Sequence, residues 1–241
     1  ADLQRAFTLG STDWRAWHAL TDYYFTQGQY PKAVENAQKA YRQFQDSYVM
    51  GMDLARAQVY NGQYEEAAQL LDKIEVLPFE GASEGRQLFA WAHTGRALNL
   101  LEKKQFKAAA QALEKAKEWP ERLGVGKPYD PEERLQNYLL AVCYEKSGDS
   151  QKAQKLRQSI VEQTRDEMIS RSRLHLLGLR LAEKEKAYQM AEQLAQMPHA
   201  GHPVTRWVLT NFYGPEKGKE KGLAVERRQP ETTLLEKALS W

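Results

Sequence analysis

The chain has 241 residues, 42% hydrophobic and 27% charged, which is ordinary for a globular chain. Lys and Arg total 34 against 32 Asp and Glu, net +2, and residues 214–228 alone supply that excess (Lys217, Lys219, Lys221, Arg227 and Arg228 against Glu216, Glu220 and Glu226, 5 − 3 = +2). A formally neutral remainder argues against nucleic acid as the main partner, no apolar run approaches the ~20 residues that span a bilayer, and the single cysteine, Cys143, allows neither an intrachain disulfide nor a cysteine-based metal site.

At the start of the chain, Leu3 and Ala6 stand 34 positions before Ala37 and Ala40 (37 − 3 = 40 − 6 = 34). The first ten residues therefore echo the end of a second helix, and the chain lacks an initiator Met. The expectation is a fragment of a longer protein. An upstream signal peptide would not be visible, so the compartment stays open, with a lean to the cytoplasm.

Trp17, Leu20 and Tyr24 lie three and four apart, one stripe of a helix. Gly28 follows, where a residue without Cβ takes a left-handed C-cap. Tyr30 opens a second helix whose Ala33, Ala37 and Ala40 make a small-residue face. Gly28, Tyr30, Ala33 and Ala40 recur as Gly62, Tyr64, Ala67 and Ile74, each 34 later (62 − 28 = 34, and so for every pair). A fixed period of this length marks stacked helix pairs. The second pair keeps Leu54, Ala55 and Leu71 but has Gly51 and Gln58 in place of Trp17 and Tyr24.

The third pair returns at Ala97, Leu100, Phe106, Ala109, Leu113 and Ala116, after an insertion of eight (106 − 64 = 42; 42 − 34 = 8). Val76–Ser83 supplies it, with Pro78, Gly81 and Ser83 as breakers. The fourth pair has Leu140, Ala141, Tyr144, Gly148, Ala153 and Ile160, after an insertion of ten near Glu121–Asp130 (150 − 106 = 44; 44 − 34 = 10). Both insertions fall between a second helix and the next first helix. They should therefore lie together on one edge, where repeat arrays often carry binding loops.

A degenerate fifth pair follows, with Leu174, Leu177 and Leu181, then Ala187, Ala191 and Ala195, ending at Pro198. A helix is expected around Val204–Tyr213 with Trp207 inward. The expected domains are a helical repeat domain over 1–213, a charged Gly-, Lys- and Glu-rich linker over 214–230, and a terminal helix over 231–241. In that helix Leu234, Leu235, Ala238 and Leu239 would cover the open end of the stack.

Few residues suggest chemistry. Gly124-Val-Gly-Lys127 superficially resembles a phosphate loop, but Glu121 and Pro128 stand where a glycine and a Ser or Thr are required. The better reading is a helix start, with Asp130 as cap, Pro131 in the first turn and Glu133 completing a capping box. His199 and His202 have no third ligand nearby in sequence, and His18, His93 and His175 are scattered; all read as surface histidines. Cys143 reads as a buried small hydrophobe. No acid–base pair stands out, so no catalytic residue, cofactor or metal is assigned.

The pattern of Trp17, Leu20, Tyr24, Gly28, Tyr30, Ala33, Ala37 and Ala40 resembles the tetratricopeptide repeat. That resemblance implies an all-α, right-handed superhelical solenoid of antiparallel helix pairs, about five pairs plus capping helices. It also implies a concave groove lined by the first helix of each pair: His18, Asp22 and Phe25, then Val49, Met52, Asp53, Arg56 and Val59. Trp91, Thr94 and Leu98 would follow, and then Leu135, Tyr138 and Val142. Repeat arrays that clamp a peptide C-terminal carboxylate use lysines, asparagines and an arginine there. This chain has His18, Asp22, Asp53, Trp91 and Gly95, so that activity is not expected.

The run Leu123-Gly-Val-Gly-Lys-Pro-Tyr-Asp130 with Glu133–Gly148 is similar to the C-terminal repeat region of large bacterial proteins. Those proteins begin with a domain of unknown function of galactose-mutarotase-like type. The reading is a non-catalytic scaffold for a protein or peptide, the upstream domain of the same parent chain included, with no nucleic-acid or membrane partner. Its alternative is a carbohydrate-associated module in which Trp91 and Tyr138 stack on sugar rings.

Overall fold

A computed structural model of the chain describes residues 12–78, 83–214 and 229–241. The readings placed on Leu3 and Ala6, and on nearly all of the 214–230 linker, lie outside the described residues. Among those described there are twelve α-helices, one 3-10 turn and no strand.

The helices are α1 (Trp14–Thr26), α2 (Tyr30–Gln43), α3 (Tyr48–Tyr60), α4 (Tyr64–Leu71), α5 (Glu84–Glu102) and α6 (Phe106–Ala116), followed by the 3-10 turn Glu121–Leu123. Then come α7 (Arg134–Lys146), α8 (Ser150–Asp166), α9 (His175–Leu181), α10 (Lys184–Gln196), α11 (Pro203–Tyr213) and α12 (Pro230–Ala238). They fall into two compact units. Unit 1 holds the residues up to Asn99 and Glu114–Pro131; unit 2 holds Leu100–Leu113 and the residues from Glu132 onward. In unit 1, α1 packs on α2, α2 on α3 and α3 on α4, and α1 also meets α3; in unit 2 the same sequential packing runs from α7 to α11, and α12 rests on α7.

The repeat register is written in the backbone. Gly28, Gly62 and Gly148 have φ of +68°, +77° and +86°, and Lys104, at the same register, has +57°. Each left-handed residue turns the next N–H back to a carbonyl five residues earlier: Gln29 to Tyr24, Gln63 to Gln58, Gln105 to Leu100 and Asp149 to Tyr144, at 2.8–2.9 Å. This six-to-one bond satisfies a carbonyl that a helix end would leave orphaned. At the other ends, the side chains of Asp13, Ser47 and Asp149 accept from Arg15 N, Met50 N and Lys152 N.

Small residues set the close approaches. Ala33, Ala67, Ala109 and Ala153 are all buried. The second pair exchanges large for small. Trp17 packs with Ala40 and Met50 in the first pair. In the second, Gly51 and Ile74 take the places of Trp17 and Ala40, and a Cβ on Gly51 would lie 2.3 Å from Ile74 Cδ1. The loss of the tryptophan is thus matched by a gain of bulk across the same interface.

The two insertions do meet. Val76 N donates to Arg122 O at 2.7 Å, and a Cβ on Gly124 would stand 3.1 Å from Val76 O. Three expectations are corrected. Helix α7 begins at Arg134, beyond the expected Asp130 cap; Glu132 accepts from Arg134 N at 3.1 Å and also binds its guanidinium. Ala195 is exposed, and Met190 and Leu194 join Ala187 and Ala191 on the inward face of α10. The terminal helix starts at Pro230, one residue before the expected 231, with Leu234, Leu235 and Ala238 buried.

Candidate functional site

In unit 1 the first turns of α3 and α5, the middle of α1 and the joined insertions enclose a cleft of about 250 Å³. Val49, Met52, Val76 and Leu123 give it apolar walls, and His18, Asp53, Arg56 and Glu84 give it a charged one. Asp53 is the buried member, its side chain only 6% exposed. Burial pushes its carboxyl up from the ordinary value, against the opposing pull of His18 and then Arg56. Both oxygens are engaged: Oδ2 lies 2.7 Å from His18 Nδ1 and Oδ1 accepts from Arg56 Nη2 at 3.1 Å.

Arg56 is held from every side. Besides Asp53 it faces Asp22 Oδ1 at 3.6 Å and Glu84 Oε1 at 3.9 Å. Its guanidinium stacks 4.7 Å above the Phe25 ring. Phe25 in turn packs edge-on against Tyr60, and Tyr60 against Trp91. The arginine is therefore held in the wall, hydrogen-bonded to Asp53 through Nη2, flanked by two further carboxylates and with one face on Phe25.

Of the groove residues expected from sequence, the structure gathers His18, Val49, Met52, Asp53 and Arg56 at the cleft, with Asp22 and Phe25 beside Arg56. It closes off others. Trp91 is 7% exposed, Thr94 0% and Val142 7%, and Val59, Leu98 and Leu135 are buried too. Tyr138 is half-buried and, with Val142, belongs to unit 2. Sequence reasoning did not assign Glu84, Val76 or Leu123 to the site. Their signal was the pair of insertions, since Val76 and Leu123 sit in them and Glu84 follows Ser83 at the end of the first.

Two histidines are not at the surface, contrary to expectation. His93 is fully buried, its Nε2 3.2 Å from Asp72 Oδ1. It occupies the register of Trp17 and Gly51 (93 − 51 = 42, the same offset as Tyr64 to Phe106). Burial lowers its pKa, and Asp72 opposes that shift. Asp72 also accepts from Lys115 Nζ at 2.9 Å. Burial alone would raise the Asp72 pKa, but Lys115 and His93 outweigh it and hold it below the ordinary value.

His175, in unit 2, is 2% exposed. Burial, helped by the buried Arg134, depresses it to about 4. Its Nε2 lies 3.3 Å from Ser170 Oγ but also 3.2 Å from the Glu167 carbonyl oxygen. A carbonyl can only accept, so Nε2 carries its proton and cannot take one from Ser170. His199 Nδ1 pairs with Thr205 Oγ1, and His202 Nδ1 accepts from Val204 N at the start of α11.

Cys143 is buried and its thiol is pushed up to about 11, which keeps it from acting as a thiolate. Gly124 simply ends the 3-10 turn in a left-handed conformation. Among the described residues no group of three His, Cys, Asp or Glu is placed to hold a metal ion, and no helix is long and apolar enough to cross a membrane.

The cleft thus sits on paired helices with a 34-residue register, left-handed glycine stops and alanine crossings. The tetratricopeptide repeat family matches residues 24–75. That stretch runs from Tyr24 in α1 past the end of α4, and it contains the Met52, Asp53 and Arg56 side of the cleft. No curated protein matches the chain in sequence. Among solved structures, a substituted form of the nearly identical TPR-like repeats of a putative kinesin light chain from Podosopora anserina is similar at 19% identity, covering 78% of this chain and 95% of that one, with a TM-score of 0.44. The unsubstituted form of those repeats gives 18% identity, 78% and 96% coverage and a TM-score of 0.43.

Proposed function

We propose that this chain is a non-catalytic interaction scaffold that seats a peptide or protein segment in the cleft of unit 1. The observation that carries the reading is the convergence of two first helices, α1 and α3, and two joined insertions on one open, half-apolar cleft. Its arginine is held by Asp53, Phe25, Asp22 and Glu84. A tetratricopeptide repeat match over residues 24–75 supports a protein or peptide as the occupant. The upstream domain of a longer parent chain is one such partner, in keeping with the similarity of Leu123–Asp130 and Glu133–Gly148 to C-terminal repeat regions of large bacterial proteins. The carbohydrate alternative draws less support, because Trp91 lies edge-on to Tyr60 and is buried, with no free face for a sugar ring.

The test is a selection of random dodecapeptides displayed on phage against the full chain, followed by binding to a blocked variant, Val49→Arg. Val49 is half-buried on the apolar wall and also packs against the Trp17, Ala40 and Met50 cluster, so the variant is compared with wild type by circular dichroism and urea unfolding before its filled cleft is tested. Selected peptides should lose roughly tenfold or more in affinity for the variant, the scale of a lost central contact. Peptides that bind both forms equally would show that the cleft is not the site.

A further inference from the structure

The cleft has a charge imbalance that names its ligand. Resting on the scaffold reading above, we infer that it receives a basic side chain, lysine or arginine, from the bound peptide. Three carboxylates surround Arg56: Asp22, Asp53 and Glu84. One guanidinium cannot balance three carboxylates, and among these four side chains the formal excess is two negative charges (3 carboxylates − 1 guanidinium).

The carboxylates are not equivalent. Asp53 is spent, with one oxygen on His18 and the other on Arg56. Glu84 and Asp22 are about half exposed, at 55% and 48%, and sit at the longer distances of 3.9 and 3.6 Å from Arg56. Each therefore keeps acceptor capacity facing solvent. An incoming carboxylate would meet this excess negative charge with Arg56 already engaged. An incoming ammonium or guanidinium would meet Glu84 on the wall of the cleft, with Asp22 behind it beside Arg56.

The walls fit the rest of such a side chain. Half-buried Val49 and Met52 offer apolar surface for a methylene stem, backed by the buried Val76 and Leu123, next to the carboxylates that would take the head. Long basic side chains bury their stems and keep the charge at a polar rim in this way. Met52 adds an adaptable contact along the stem. The charged wall and the apolar wall come from different parts of the chain, and the two joined insertions supply Val76 and Leu123. The edge that departs from the 34-residue period thus shapes the pocket for the stem.

The experiment uses the dodecapeptides selected on the full chain. The tightest is compared with versions whose basic residues are replaced one at a time by norleucine, which keeps the stem and removes the charge. Each is measured by fluorescence anisotropy against the wild type and against Glu84→Gln with Asp22→Asn. One Lys or Arg should recur at a fixed position in the selected set. Its norleucine version should bind about fivefold more weakly to the wild type, the scale of a partly exposed ion pair. The double variant should bind the basic peptide about fivefold more weakly and the norleucine peptide unchanged, which isolates the charge coupling. Peptides blocked by Val49→Arg but lacking a basic anchor, or a norleucine version that binds equally well, would overturn this inference and leave the scaffold reading standing. A selection that yields no peptide sensitive to Val49→Arg would overturn the scaffold reading itself.

Discussion

Lys104 is the non-glycine residue with positive φ among those described, and it stands where the other three pairs have glycine. Its side chain is exposed, so replacing it with glycine removes no packing. An L-residue in the left-handed region costs roughly 1–2 kcal/mol. Glycine relieves that cost but gives the unfolded chain more freedom, worth roughly 0.4–1 kcal/mol in the other direction. Lys104→Gly should therefore stabilise the fold by about 0.5–1 kcal/mol, or raise Tm by about 1–4 °C for a chain of this size. Gly62→Ala is the mirror experiment. A Cβ there meets nothing within 4 Å, so the cost is purely conformational and should be about 0.5–1 kcal/mol of destabilisation. Urea unfolding followed by circular dichroism at 222 nm measures both, and an unchanged m-value ensures that the same transition is compared. A Lys104→Gly protein less stable than the parent, or a Gly62→Ala protein equal to it, would refute the idea that a left-handed stop is required at this register.

Ala33, fully buried where α2 meets the side chains of Tyr24, Phe25 and Leu54, should not accept bulk: Ala33→Leu is expected to cost about 1–3 kcal/mol, and an unchanged urea midpoint would remove it from the close approach. Gly95→Ala sets two effects against each other. Helix propensity favours alanine by about 1 kcal/mol, but the new Cβ would lie 2.2 Å from the Tyr64 ring, so the variant should be less stable, and Tyr64→Leu in the same chain should recover part of the loss. His175 gives a pH dependence. Its folded pKa of about 4 lies below the ordinary 6.5, so its contribution is complete above pH 6.5 and is lost as pH falls toward 4. The loss is about 3 kcal/mol, from roughly 1.4 kcal/mol per pKa unit. The charged groups around it are Arg134, which disfavours the proton together with His199, and Glu132, which favours it. Glu231, whose burial raises its pKa, works the other way and gains stability as pH falls. The difference between wild type and His175→Gln in stability measured at pH 7 and pH 4.5 therefore isolates the histidine. Parallel pH dependences in the two proteins would contradict its assignment as a buried neutral ring.

The helix-pair register was legible because its parts are local. A glycine that must turn left-handed and an alanine that must let two backbones approach are single-residue requirements, so Gly28, Gly62, Gly148, Ala33 and Ala67 could be counted off by subtraction. Lys104 was not legible in this way, because lysine gives no turn signal; its φ of +57° is what puts it at the glycine register. Compensations between distant residues were harder to read. Gly51 reads in sequence as a lost tryptophan, whereas Ile74 fills that space, and His93 at the same register reads as a surface residue, whereas it is buried against Asp72. The cleft was half legible. His18, Met52 and Arg56 lie on the periodic helices, and the shared edge of the insertions followed from their place in the repeat. Glu84, Val76 and Leu123 enter through loop geometry, which no period encodes. Trp91 and Thr94 sit on the expected helix but are turned into the packing, a choice set by neighbouring side chains rather than by spacing.

Binding of a partner in the cleft of unit 1 can be read directly at a methionine. The chain contains five methionines, Met50, Met52, Met168, Met190 and Met197, and Met52 lines the cleft. Methyl-labelled methionine spectra recorded while a selected dodecapeptide is added report each of these sites separately. Binding in the cleft should give a saturating shift of the Met52 methyl with Met168, Met190 and Met197 unmoved. A shift at the unit 2 methionines with Met52 unchanged would contradict it.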